Sequence, residues 1–238
     1  MRTETPHPVA AAVRLPLAPP DDGWRRCDGC GEEWHLTVPQ ELCPECAEEE
    51  RAERRKQGLL AWRRQHRDAV LAQAAVPVRL RREVSIRAWP RDPRQGGALD
   101  GWRGEPWCAT LVGEPGVGKS TLAAALTYRW LCEDATLTEV CWRRGSLLLR
   151  EMLQGRPEAE QARHCQLLIL DDFGQGLGST TAWGMLGEIL AERYEWQRAT
   201  LLTTNLQQPA LEAGHCATAD RILDGLLCPL RGGSRRGS

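Results

Sequence analysis

Residues Gly113-Glu114-Pro115-Gly116-Val117-Gly118-Lys119-Ser120-Thr121 form an unbroken GxxxxGK[ST] motif. A short apolar run, 109–112, precedes them and an amphipathic run, 120–131, follows, which is the strand–loop–helix setting the motif's chemistry requires. Gly113, Gly116 and Gly118 let the backbone curl until its N–H groups face phosphate oxygens, and the helix behind adds its positive N-terminal end. Lys119 reaches the β- and γ-phosphates as a compact charge, and the Ser120 hydroxyl suits Mg2+. The nine residues are therefore expected to hold ATP with Mg2+.

Composition points the same way. Of 31 basic residues only two are lysines, at 56 and 119. A chain that writes Arg wherever a plain positive charge serves keeps Lys where the planar guanidinium cannot replace it. Lys56, within Arg54-Arg55-Lys56, shows no special role.

Beyond the loop the alternation continues. Strand-like 139–142 precedes helix-like 146–153; 167–170 precedes 180–194; 200–203 precedes a helical pattern reaching about residue 227. Short apolar runs followed by longer amphipathic ones indicate an α/β fold, a mostly parallel sheet flanked by helices, with ligands at the carboxyl ends of the strands. The third run ends in Leu170-Asp171-Asp172. Two acids there are costly unless a cation or water uses them. Asp171 is expected to hold Mg2+ and Asp172 to polarise the attacking water; a helix N-cap is the other reading. The fourth run ends in Thr203-Thr204-Asn205, where Asn205 either orients that water or sits in an ordinary turn. Arg221, in Asp220-Arg221-Ile222-Leu223-Asp224, is either a surface charge on a helix or an arginine finger serving a neighbouring subunit.

The ten cysteines fall into two classes. Cys27, Cys30, Cys43 and Cys46 make two CxxC knuckles twelve residues apart, the spacing of a tetrahedral four-thiolate Zn2+ site; a redox CxxC is the other reading, but it needs only one pair and a thioredoxin-like βαβ setting that is missing. His35, between the knuckles, reads as a surface residue. So short a segment cannot fold on its apolar residues alone, and the metal would supply the folding energy. Cys108, Cys132, Cys141, Cys165, Cys216 and Cys228 show no paired spacing and read as small core residues.

Between the knuckles and the sheet, residues 47–73 have helix-forming composition with Leu60, Trp62 and Val70 on a partial apolar face and a weak point at Gly58. Pro77 ends the helix, and Pro90, Pro93 and Gly96-Gly97 mark a second break. The expected organisation is a disordered segment over 1–22, a zinc-binding module over 23–47, a basic helical connector over 48–94 and the nucleotide-binding domain over 95–238. Charge follows these divisions: residues 1–50 hold four bases against eleven acids, 51–94 thirteen against four, and 95–238 fourteen against seventeen. The connector is the segment best placed to meet a phosphate backbone, through Arg63, Arg64 and Arg67 among others, although a charge run is more often a solvated helix face. No apolar run approaches the roughly 18 residues of a membrane helix, and the N-terminal pattern is not secretory, so a cytoplasmic protein is expected.

Taken in order, the segments VPVRLRREVSIRAWP, GEPGVGKSTLA, LLILDDFG, ERYEWQRATLLTTNL and DRILDGL resemble the AAA+ ATPases of the DnaC/DnaI helicase-loader and IstB transposition-helper group, from about residue 76 onward. The resemblance implies that Asn205 is sensor 1 and that Arg221 is a finger acting in trans. It further implies ATP-dependent self-association and contact with single-stranded DNA. Two departures stand out, Gly225 where the group often has a second Arg and Asp172 where many AAA+ members have Glu; Gly233-Ser234-Arg235-Arg236 resembles the group's terminal G-x-S-x-R, which makes Arg236 a weak sensor 2 candidate, with a fraying basic tail as the other reading. DnaI-like loaders carry a zinc-binding domain ahead of the ATPase, so Cys27–Cys46 favours a loader with a replicative helicase as partner. A transposition helper and a zinc-ribbon DNA adaptor with a nucleotide-gated switch are the alternatives.

Overall fold

The structure, a computed structural model, describes residues 24–35, 42–84, 99, 101–174, 180–206 and 216–231. The N-terminal segment, the second linker break at 90–97 and Arg236 lie outside the described residues. The chain forms two compact units, Met1–Arg55 and Lys56–Ser238.

In the first unit β1 (Trp24–Arg26) pairs antiparallel with β2 (Glu33–His35). The turn between them carries the first CxxC, and Gly31 takes a left-handed φ of 76°. The second CxxC leads into α1 (Pro44–Gln65), which starts on a proline, the residue best suited to a first helical turn. Gly58 does not weaken α1 visibly: the helix runs through it and breaks at His66 instead. Pairs of Arg51 with Glu48, Arg54 with Glu50 and Arg55 with Glu48 support the turns that precede the glycine.

In the second unit, α2 (Arg67–Gln73) and α3 (Val78–Glu83) precede the sheet. Of the expected apolar face only Val70 is buried, joined by Leu71, Ala74, Val76 and Leu80. Trp62 stays exposed and stacks on His66, 4.7 Å between ring centres. The sheet comprises β3 (Cys108–Val112), β4 (Val140–Arg144), β5 (Leu167–Phe173), β6 (Ala199–Thr204) and β7 (Leu226–Pro229), in the order β4-β5-β6-β3-β7, all parallel. Helices α4 (Lys119–Glu133), α5 (Gly145–Leu153), α6 (Pro157–His164), α7 (Thr180–Glu195) and α8 (Cys216–Leu223) supply the crossovers.

Strand side chains alternate between two cores. Leu111, Ile169 and Leu201 pack with α2, α3 and α4 on one face. Leu168, Leu170 and Leu202 pack with α5, α6, α7 and α8 on the other. Both faces being covered explains why the strands read as continuous apolar runs. Cys108, Cys132, Cys141, Cys165 and Cys228 are buried free thiols, as expected.

The expected helix to residue 227 is corrected. α8 stops at Leu223, and Leu226–Pro229 pairs with β3 as a fifth strand. Gly225 makes this exit possible: a Cβ there would stand 2.4 Å from the Cys108 carbonyl oxygen. The same contact leaves no room for an Arg at this position.

Three arginines of the basic connector are engaged within the fold. Arg63 is buried and donates to the carbonyls of Leu131 (2.9 Å), Asp134 (2.8 Å) and Leu137 (2.8 Å). Arg64 donates to Cys132 O at 3.0 Å and Arg67 to Val84 O at 2.7 Å. These guanidiniums satisfy carbonyls at the ends of α3 and α4 and, at Leu137, in the loop that follows α4.

Candidate nucleotide site

The loop after β3 has to curl within one turn, and its glycines each meet a different demand. Leu230 N–H donates to Val112 O at 2.7 Å, drawing the end of β7 across the loop. A Cβ on Gly113 would therefore lie 2.6 Å from Leu230 O. Gly116 and Gly118 take φ of 89° and 99°, left-handed values that glycine adopts without a Cβ clash. Gly118 caps α4, so the free N–H groups of the first turn open toward the loop.

Lys119 is buried, and its Nζ donates to Gly113 O (2.7 Å), Glu114 O (2.9 Å) and Asn205 Oδ1 (2.6 Å). The ammonium thus joins the loop to the end of β6. Glu114 and Pro115 are exposed, Gly116 is half-buried and Val117 is buried beneath the loop. Thr121 does not turn inward: its hydroxyl donates to Glu83 Oε2 on α3 at 2.9 Å.

Asp171 lies near the C-terminal end of β5, 3% exposed. Its Oδ1 accepts from Ser120 Oγ at 2.7 Å and from Thr203 Oγ1 at 2.6 Å. Burial pushes its carboxyl above the usual carboxylate range; the two hydroxyls oppose this, the Asp172 charge adds to it and Arg144 opposes it. Asp172 has φ 55°, unusual for a residue with a Cβ. Its carboxylate faces Arg144 Nε at 4.0 Å.

Arg221 stands elsewhere. Its guanidinium lies over the Tyr194 ring, 5.8 Å from the centre, and its carbonyl accepts from Trp107 Nε1 at 3.2 Å. Among the described residues no hydrogen bond or ion pair joins it to Lys119, Asp171 or Asn205.

The structure therefore brings together Lys119, Ser120, Asp171 and Asn205, with Asp172 beside them. Reading the sequence alone misses Thr203, Arg144 and Glu83. A polar residue at the buried end of an apolar strand is a signal that points to Thr203. Arg144 carries no signal in a chain so rich in arginine, and its place opposite Asp171 appears only through the β4–β5 register.

In the first unit the Sγ atoms of Cys27, Cys30, Cys43 and Cys46 lie within 4.8 Å of one another. Thiolates about 2.3 Å from a tetrahedral zinc stand about 3.8 Å apart, so this donor set fits Zn2+. Cys27 Sγ accepts from Gly29 N and Cys43 N, both at 3.3 Å. The Cys43 N–H chiefly, then those of Cys30 and Gly29, bring the Cys27 thiol down to about 6. His35 is no part of the cluster; it packs edge-on against Trp24, ring centres 5.5 Å apart.

A five-stranded parallel sheet with a glycine loop after β3 and paired acids on β5, one strand removed from it across β6, defines a P-loop ATP-binding fold. The profile of the IstB-like ATP binding proteins matches residues 105–228, and the chain belongs to that family. A protein of Sinorhizobium fredii named as an insertion-sequence ATP-binding protein is 36% identical over 125 residues, 49% of each chain. The chain thus spans about half the length of this relative. Among solved structures, the DnaC helicase loader (TM-score 0.54, 20% identity, 65% of this chain and all of that one) and DnaI (TM-score 0.53, 20% identity, 65% and 94%) share the fold. No described helix is long and apolar enough to cross a membrane.

Proposed function

We propose that this ATPase is a replication accessory protein of the loader kind, which uses its cysteine module to dock on a hexameric replicative helicase and deliver it to single-stranded DNA. The supporting observation is the four-cysteine cluster ahead of the ATPase unit, the arrangement expected of DnaI-like loaders. Three divisions serve this role: a zinc-binding module over 23–47, a helical connector over 48–94 whose later part packs with the ATPase, and the ATPase over 95–238. We place its action in the cytoplasm.

At the nucleotide site, Gly113 to Thr121 wrap the phosphates, and Lys119 exchanges its carbonyl and Asn205 contacts for β- and γ-phosphate oxygens. Ser120 and Asp171, already 2.7 Å apart, would hold Mg2+. When bound, the metal neutralises charge developing on the phosphates. Asp172 accepts a proton from the water it polarises, and Asn205 orients that water against the γ-phosphate. Arg221 completes the site of the next protomer, and hydrolysis or exchange releases the helicase. Asp172 carries its carboxylate one methylene shorter than Glu, which favours slow turnover.

A second reading, a transposition helper that recruits a transposase to target DNA, draws on the insertion-sequence relative of the ATPase unit. Size-exclusion chromatography of the full chain with purified replicative helicase, MgATP and zinc separates the two. The loader reading expects co-elution that is lost when Cys27 and Cys30 are changed to Ser. If the helicase elutes alone while a transposase from the same replicon co-elutes, the helper reading replaces it.

A further inference from the structure

The β5–β6 ladder is regular up to Leu170↔Leu202 and resumes at Phe173↔Thr204, with a register shift between. Two residues, Asp171 and Asp172, therefore stand opposite one, Thr203. This is a β-bulge, a device that re-aims side chains and is enriched next to active sites. It falls on the two acids of the site, and the positive φ of Asp172 is its backbone signature. Such conformations persist only where surrounding contacts over-determine them.

Thr203 supplies those contacts. Fully buried in β6, it donates its hydroxyl proton to Asp171 Oδ1 at 2.6 Å and accepts the Asp172 N–H at 2.9 Å. A hydroxyl has one proton to give and lone pairs to accept with, so the two bonds fix its rotation and, through it, both acids. The neighbouring Thr204 closes the bulge, donating to Phe173 O at 2.7 Å. Ser120 reaches Asp171 from the loop side, and among the described residues the Asp172 N–H donates to Thr203 Oγ1.

We propose that Thr203 is a positioning residue for ATP hydrolysis: its single hydroxyl sets the Asp171 carboxylate toward Ser120 and holds the Asp172 backbone in the bulge that aims the second carboxylate. The inference rests on the roles given above to Asp171 and Asp172. It assigns Thr203 to turnover rather than to nucleotide affinity, because the loop and Lys119 are built without it.

The test compares Thr203→Val, which keeps the shape and loses the hydroxyl, with Thr203→Ser, which keeps the hydroxyl, and with Asp172→Asn as a control. Steady-state ATPase rates are read beside nucleotide affinity and thermal melting. Thr203→Val is expected to lose about 100-fold in kcat, the scale of a misplacement near 1 Å, while nucleotide affinity stays within about threefold. Thr203→Ser is expected to turn over within about threefold of the parent. A folded Thr203→Val with parental kcat overturns the inference, as does an equal loss in the Val and Ser variants. If Val does not fold, Thr203→Ala takes its place with the same expected loss. An active Asp172→Asn refutes the role of Asp172 itself, whereas an inactive Asp172→Asn with an active Thr203→Val overturns the role of Thr203 alone.

Discussion

Lys119 shows how far a single residue can be read from sequence. In a chain with 29 arginines, a lysine in the loop is there for its shape, and the structure shows why. Its ammonium meets three oxygen acceptors, from Gly113, Glu114 and Asn205, arriving from different directions. A point charge with three rotatable donors satisfies them; a planar fork does not. Lys119→Ala is expected to lower ATP affinity about 100-fold or more, since two charge-assisted phosphate contacts contribute about 1.5–3 kcal/mol each. Lys119→Arg should fare little better. Titration with a fluorescent nucleotide checks both, with zinc content measured alongside to show that the cysteine module is intact. Parental affinity in Lys119→Ala would remove the site assignment. The motif residues were legible because their chemistry fixes both type and spacing. Thr203, Arg144 and Glu83 were not, since each acts through strand register or helix placement, which a linear reading does not contain.

At the scale of elements, the sheet was legible in its strands and misread at its margins. Four apolar runs became β3 to β6 with no end moved by more than three residues, because strands covered on both faces leave an unambiguous apolar signature. The fifth, β7, is a run of four residues beside a helical pattern, and periodicity cannot separate such a run from a helix end. In the connector, charge counts a guanidinium without saying what it meets. Two buried arginines close helix ends here, Arg63 at α4 and Arg193 at α6, where it donates to Ala162 O and Cys165 O, both at 2.9 Å. Removing Arg63 leaves the Leu131, Asp134 and Leu137 carbonyls short of donors at the far end of the helix that begins with Lys119. Arg63→Ala should therefore cost about 2–4 kcal/mol of stability, from about 1–3 kcal/mol per buried group left unsatisfied and partial relief by water. Arg64→Ala, with one such bond at an exposed position, should cost about 1 kcal/mol. Urea unfolding of the two variants checks the ranking, and equal midpoints would contradict it.

At the scale of the whole molecule, the proposed trans role of Arg221 can be set against where the chain holds that residue. Its own residues gather Lys119, Ser120, Asp171 and Asn205 around the loop but bring no guanidinium from Arg221 to them. Arg221 is instead presented from α8, its charge resting on the Tyr194 ring while Tyr194 Oη donates to Asp224 Oδ2 at 3.2 Å. A half-buried arginine held on an aromatic shelf is pre-organised rather than floppy, which suits a group meant for a second copy. If the site is completed in trans, defects in the two halves must complement. Arg221→Ala should bind ATP normally and turn over poorly; Lys119→Ala should neither bind ATP well nor hydrolyse it. In an equimolar mixture, about a quarter of interfaces join an intact loop to an intact Arg221, so ATPase activity should recover toward about a quarter of the parental rate in a head-to-tail assembly. Each variant alone sets the baseline, and the recovery should depend on total protein concentration. A mixture no more active than the sum of its components would mean that Arg221 serves its own chain or none.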